Sequence, residues 1–155
     1  MDQGNTAFIL ISAAMVLLMT PGLAFFYGGL VKAKSVISMM MMSFGALGLI
    51  GVLWVLFGYA IAFPGADGIV APWSIDWSAL GLSSLLETPE DAAYPPLAFV
   101  AFQATFAIIT VALVSGAIAD RAKFGAWMVF AGIWATVVYF PVASWVFNFG
   151  LGDEG

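Results

Sequence analysis

The chain has 155 residues, of which 63% are hydrophobic and 8% are charged, and its mean hydropathy is +1.07. Soluble domains average roughly 25% charged residues, so these few charges cannot cover a folded domain in water, and lipid must supply much of the outer solvent. The sequence has no cysteine and no histidine, which excludes disulfides and thiol nucleophiles and removes the commonest general base and metal ligand. No enzyme, metal site or cofactor is therefore predicted, and nothing resembles a nucleic-acid-binding patch.

Four stretches of the chain lack charged side chains and are long enough to cross a bilayer, which takes about 20 apolar residues. They cover residues 6–30, 35–63, 97–119 and 124–149. Each is continuously apolar rather than alternating, which is typical of spanning helices and not of barrel strands. The sequence therefore predicts an all-α, polytopic transmembrane bundle with four spans.

The joints between these spans differ in charge. Every lysine and arginine falls in two tight joints, residues 31–34 and 120–123, whereas residues 64–96 form a long, acidic, proline-rich loop. Basic residues mark the cytoplasmic side of a membrane bundle. Both tight joints are therefore predicted to be cytoplasmic, with the N-terminus and the long loop outside. A short helix is predicted in that loop around Trp77–Leu86.

Because no acid or base lies within a predicted span, a conduction path here must use aromatic, hydroxyl, amide and backbone groups. In the third span, Phe102, Phe106, Ile109 and Leu113 recur at helical spacing. Such a stripe is typical of helix packing. It also suits a permeation wall, since stacked phenyl rings attract cations where water is excluded.

The outer end of the fourth span carries a second cluster, composed of Tyr139, Pro141, Ser144, Trp145 and Phe147. Its composition suits an aromatic belt at the membrane surface. It equally suits the rim of an outer vestibule. Pro141 lacks an amide donor and is expected to bend the helix, which would free a carbonyl group.

Several long motifs resemble those of the ammonium transporter (Amt/MEP/Rh) family. Residues 17–31 read LLMTPGLAFFYGGLV and are similar to that family's first helix, and residues 102–111 read FQATFAIITV and are similar to its third. Residues 116–121 resemble its Gly-Ala-x-Ala-Glu-Arg joint, with aspartate for glutamate, and residues 139–143 resemble the approach to its outer vestibule. The likeness covers the chain in order, with actinobacterial members most alike.

The resemblance implies a fold of eleven helices in two inverted halves, assembled as a homotrimer with one pore in each subunit. Residues 1–155 would then be helices one to four, an incomplete fragment of that membrane domain. The implied function is uptake of ammonium or methylammonium across the plasma or inner membrane for nitrogen assimilation. A PII-type regulator is implied on the cytoplasmic face.

The resemblance also implies roles for single residues. Phe106 falls at the inner of the family's stacked gate phenylalanines, and Phe102, one turn outward, lines the vestibule. Ile109 would face the apolar pore. Tyr139 matches a vestibule tyrosine.

Around Phe147 the chain departs from the family's pattern. Many members carry a recruitment tryptophan at this position, and a phenyl ring offers a weaker cation–π face than indole. Ser144 and Trp145 are the neighbouring candidates for the outer vestibule, although Trp145 points about 200° away from Phe147 around a helix.

Two alternatives remain open from the sequence. The same membrane domain occurs in ammonium-sensing transducers, where it is fused to a cytoplasmic signalling module. A four-helix structural or accessory subunit of this length is the other alternative.

Overall fold

The computed structural model describes residues 2–64, 75–89 and 92–147. Within these ranges every regular element is helical, and four helices are long and apolar enough to cross a membrane. They are α1 (Gln3–Leu30), α2 (Ala33–Ala62), α3 (Pro96–Ile118) and α4 (Phe124–Val146). The predicted all-α bundle with four spans is confirmed. The predicted final span extended to residue 149, and its last two residues lie outside the described ranges.

The ends of the bundle at which α1 begins and α2 ends are tied together by the chain that enters α1 and leaves α2. The Asp2 carboxylate accepts a hydrogen bond from the Gly4 amide at 2.8 Å and so caps α1. The Asp2 amide donates to the Ala93 carbonyl at 2.9 Å, just before α3, and the Asp76 amide donates to the Ala60 carbonyl at 3.0 Å. These bonds hold the described parts of the long loop against the helix ends.

The short helix predicted around Trp77–Leu86 is not a single helix. Residues Trp77–Leu85 form 3-10 turns that are broken at Leu80, Gly81 and Leu82, where the backbone leaves helical geometry. Gly81 has a φ of 64° and Leu82 a φ of 62°, a left-handed conformation that ends a right-handed helix. The apolar composition suggested a helix, but two consecutive left-handed residues divide the segment into two turns.

Two buried tryptophans connect the spans through hydrogen bonds. The indole N–H of Trp54 in α2 donates to the Val100 carbonyl in α3 at 3.2 Å. The indole N–H of Trp127 in α4 donates to the Met42 carbonyl in α2 at 2.9 Å. Each indole thus has a partner in an interior without water, where an unpaired donor is costly. Each bond also fixes the relative height of two helices.

The helices α2 and α4 each contain one widened π-helical turn, and the two turns meet at one side chain. The π-turns are Trp54–Gly58 in α2 and Ala135–Tyr139 in α4. The fully buried ring of Phe140 lies between them, with its centroid 5.7 Å from that of Trp54 and 6.0 Å from that of Phe57. Pro141 in α4 has no amide hydrogen to donate to the helical hydrogen bonds. It lies two residues after the widened turn of α4.

Gly58 is the position that lets the Phe140 ring approach α2. A Cβ atom at Gly58 would lie 2.7 Å from the Cζ atom of Phe140. We therefore expect Gly58→Ala to destabilise the complete protein by about 1–3 kcal/mol, the usual cost of overpacking. Denaturant titration of the purified protein measures this. Gly48→Ala in the same helix is the matched control, since a Cβ there meets nothing within 4 Å, and equal losses in both variants would contradict the packing described.

Candidate functional site

Two phenylalanines in the first half of α3 form an edge-to-face pair. The ring centroids of Phe102 and Phe106 are 5.0 Å apart, and the ring planes cross at 80°. The two residues are one helical turn apart, so their side chains leave α3 on the same side. Both are partly exposed in the described chain, and packing within these helices therefore does not fully cover the two rings.

A pair of hydroxyl groups continues the same side of α3 one turn further along. Thr110 follows Phe106 by four residues, and its side chain lies beside the hydroxyl of Tyr139. Tyr139 ends the π-turn of α4, and its ring meets that of Phe140 edge-on at 6.1 Å. The widened turn therefore places the tyrosine hydroxyl against α3. The result is a row of two phenyl rings and one hydroxyl pair along α3.

Ile109 lies outside this row. Its side chain is 6% exposed and packs within the bundle, whereas Leu113, four residues further, is 49% exposed. The stripe predicted at helical spacing therefore does not share one environment. Thr110 lies beside the phenyl pair, at the spacing of four residues that runs from Phe102 through Phe106, and the pore-facing role of Ile109 stays a prediction.

The candidates at the C-terminal end of α4 do not converge. Ser144 is 2% exposed, and its hydroxyl donates to the Pro141 carbonyl at 2.7 Å, which satisfies this buried hydroxyl within its own helix. Trp145, the next residue, is 55% exposed. Phe147 lies at the helix end, where its amide donates to the Ala143 carbonyl at 2.8 Å and its side chain packs on the hydrophobic core. Only Phe147 and Tyr139 of these residues belong to the same packed cluster.

A cavity of about 370 Å³ opens beside the first half of α3. It lies between the first turns of α1 and the start of α3, and Phe102 stands on its wall together with Asn5, Phe8, Ile9, Ser12, Tyr94 and Phe99. Phe102 thus contacts Phe106 on one side and this cavity on another. Within residues 2–64, 75–89 and 92–147, no three acidic side chains come close enough together to hold a metal ion.

Comparison with known proteins gives a consistent result. Residues 7–154 match the model of the Ammonium Transporter Family. The chain is 55% identical over 96% of its length to an ammonium transporter of Mycobacterium tuberculosis, and 44% identical over its full length to one of Bacillus subtilis. It spans about a third of these relatives, 34% and 38% of their lengths. A crystal structure of a Mep2 mutant from Candida albicans superposes with a TM-score of 0.79 and 29% identity, covering 98% of this chain and 33% of that one.

Proposed function

Since this chain belongs to the Ammonium Transporter Family, we propose that it contributes the outer part of an ammonium path to a membrane transporter. The family and the four apolar helices make it a multi-pass membrane protein. The family resemblance of its sequence motifs is thereby confirmed. Transport activity belongs to the complete protein, of which this chain would form the first four helices.

The row formed by Phe102, Phe106, Thr110 and Tyr139 carries this proposal. Phenyl faces attract a cation by about 2 kcal/mol or more once water is excluded, and hydroxyl oxygens accept hydrogen bonds from ammonium. Potassium ion cannot donate such bonds, so hydroxyl groups in a dry path favour ammonium over potassium. An uncharged row also lets the cation leave, because it offers no fixed negative charge to trap it.

The chain's own spans would bind and desolvate the cation without taking its proton. No Asp, Glu, Lys, Arg or His occurs between residues 6 and 30, 35 and 63, 97 and 119, or 124 and 149. If ammonia is the species that crosses the apolar pore, the ammonium proton must pass to a group outside these four spans. The role of this chain would then be recognition at the outer entrance and gating by the phenyl pair.

The remaining features of the proposal concern orientation and assembly. The basic joints at residues 31–34 and 120–123 support a cytoplasmic position for the end of the bundle at which they lie, with the N-terminus outside. The membrane would be the plasma or inner membrane. A homotrimer and a PII-type regulator on the cytoplasmic face complete the proposal by analogy with the family. A transporter is favoured over a sensor or an enzyme, because the curated relatives described above are named ammonium transporters.

Uptake by the complete protein in lipid vesicles tests this function. Vesicles holding the protein should accumulate labelled methylammonium faster than empty vesicles, and added ammonium should compete while an equal concentration of potassium should not. Uptake no faster than in empty vesicles would refute the proposal. Competition by potassium as strong as that by ammonium would refute the proposed recognition by hydroxyl and phenyl groups.

Phe147→Trp tests the proposed recruitment position. Indole is the strongest cation–π partner among the aromatic side chains, so this change should lower the methylammonium concentration at half-maximal uptake by about twofold to fivefold. Trp145→Phe is the control on the adjacent, exposed residue and should leave that concentration unchanged. Unchanged or weaker uptake by the Phe147 variant at low concentration would place the recruitment site elsewhere.

A further inference from the structure

Gln103 is a buried amide in α3 that has no partner in the part of the chain that the structure describes. It follows Phe102 directly, and its side chain is only 6% exposed. Within residues 2–64, 75–89 and 92–147, neither its amide nitrogen nor its amide oxygen takes part in a hydrogen bond. A buried amide without a partner costs stability, and nearly all buried polar groups in proteins have one. Gln103 therefore needs a partner that these four helices do not supply.

The polar side chains closest to Gln103 in the helical register are bonded to backbone carbonyls instead. The indole N–H of Trp54 donates to the Val100 carbonyl, one turn before Gln103. The Thr105 hydroxyl, two residues after Gln103, donates to the Phe102 carbonyl at 2.6 Å. Each of these bonds satisfies a side chain without involving the amide. The local packing thus leaves the amide of Gln103 available to a group that arrives from outside these helices.

Gln103 lies on the side of α3 that carries the row proposed for the ammonium path. Phe106 follows it by three residues and Thr110 by seven, and these spacings place all three on one side of a helix. With a rise of about 1.5 Å per residue, the amide lies roughly 4–5 Å before Phe106 and roughly 10 Å before Thr110 along the axis. Thr110 in turn lies beside the hydroxyl of Tyr139. The unpaired amide therefore adjoins the phenyl pair at the opposite end of the row from the hydroxyl pair.

We propose that the side-chain carbonyl of Gln103 accepts a hydrogen bond from ammonium beside the phenyl pair. The inference rests on the proposed function and adds a substrate-binding residue to it. A phenyl face attracts the charge of the cation, but it is a weaker hydrogen-bond acceptor than a carbonyl oxygen. Carbonyl oxygens replace the hydration shell of a cation in selective channels. A neutral amide does this without a fixed charge, so the cation can leave again.

Concentration-dependent uptake of labelled methylammonium by the complete protein in lipid vesicles tests this proposal. Gln103→Leu should raise the half-saturating concentration by about tenfold, the factor that one hydrogen bond to a charged group contributes. Gln103→Met keeps the length and flexibility of the side chain, should give the same shift, and replaces the leucine variant if that variant does not fold.

Thr105→Val is the matched control for these two variants. Thr105 is also 6% exposed, and it lies about 200° away from Gln103 around the helix. Its hydroxyl is bonded to a backbone carbonyl of its own helix. The half-saturating concentration of this variant should therefore equal that of the wild type.

Gln103→Glu separates hydrogen bonding to the substrate from packing. Glutamate keeps an acceptor oxygen at the same distance from α3, so the half-saturating concentration should stay near that of the wild type or fall. The maximal rate should fall, because a carboxylate holds a cation more firmly than an amide does. A bond between Gln103 and another helix of the complete protein would instead be disturbed by leucine, methionine and glutamate alike.

Thermal unfolding of the complete protein distinguishes a substrate contact from a contact between helices. Without ammonium, Gln103→Leu should unfold at the same temperature as the wild type or higher, since it replaces an unpaired buried amide by an apolar side chain. Ammonium should raise the unfolding temperature of the wild type. The same rise in the leucine variant should take about tenfold more ammonium.

Three results would overturn the proposal. The first is an equal half-saturating concentration in the wild type and the folded apolar variants. The second is a shift in Gln103→Glu as large as that in Gln103→Leu. The third is a lower unfolding temperature of Gln103→Leu without ammonium, which would assign the amide to a bond with another helix. Uptake by the wild type no faster than in empty vesicles would refute the proposed function itself, and the inference with it.

Discussion

Phe140→Ala is expected to lower the free energy of unfolding of the complete protein by about 3–5 kcal/mol. The Phe140 ring is fully buried and meets Trp54, Phe57 and Tyr139. Its removal leaves a cavity between α2 and α4 that the surrounding rings cannot fill without moving the helices. The π-turns of both helices lose the side chain on which they converge. Titration with a denaturing detergent, followed by circular dichroism, measures the loss.

A matched control for this change lies on the same helix. Phe130 is 43% exposed, and its ring pairs only with Trp127 among the described residues. Phe130→Ala should therefore cost less than about 1 kcal/mol. Because Tyr139 is the residue before Phe140 and contacts its ring, Phe140→Ala should also weaken ammonium uptake in whatever protein remains folded. A loss no larger than that of the control would show that Phe140 does not hold the two π-turns together.

Replacing both rings of the phenyl pair should have the largest effect on ammonium recognition. Phe102→Leu with Phe106→Leu keeps the apolar bulk but removes both π faces. Each face is worth about 0.5–2 kcal/mol to a bound cation, so together they should raise the ammonium concentration at half-maximal uptake by about fivefold or more. Concentration-dependent uptake of labelled methylammonium in vesicles measures the shift.

The reason to expect a change in affinity rather than in folding is the position of the pair. Both rings are partly exposed in the described chain, and leucine is a good former of apolar helices. Phe130→Leu serves as the control, because it replaces an aromatic ring on the exposed side of α4. An unchanged half-saturating concentration in the double variant, with normal protein levels, would remove the phenyl pair from the ammonium path.

The helical fold and its four spans could be predicted from the sequence because the bilayer leaves few choices. A backbone in lipid must satisfy its own hydrogen bonds, so each long uncharged run has to be a helix. The four basic residues then distinguish the two ends of the bundle. Long motifs such as residues 17–31 were specific enough to indicate the family, and the family match over residues 7–154 agrees.

The site could be predicted only in part, because helical spacing leaves the facing side undecided. Residues 102, 106 and 109 and residues 102, 106 and 110 both fit one side of a helix. In the structure the π-turn of α4 brings Tyr139 beside Thr110, and the pore-facing role of Ile109 stays a prediction. Directly after that turn, the Phe140 ring packs against Gly58, which is far away in sequence. Composition alone therefore could not indicate it.

The same limit applies at the C-terminal end of α4. Ser144 and Trp145 are polar and aromatic, as a vestibule requires, but the structure turns Ser144 into the bundle and leaves Trp145 on its surface. The Ser144 hydroxyl donates its hydrogen bond to the Pro141 carbonyl. A proline followed three residues later by a serine is a local signal for this bond, because the serine can bond back to a nearby carbonyl.

Substrate protection of a cysteine at position 102 tests most directly whether the phenyl row lines the ammonium path. The chain contains no cysteine, so Phe102→Cys can be placed in a complete protein from which any other cysteines have been removed. A membrane-impermeant methanethiosulfonate reagent added outside should label it, and ammonium should slow that labelling while potassium should not. Phe130→Cys should show no such protection. Labelling of Phe102→Cys at the same rate with and without ammonium would contradict the path proposed for this protein.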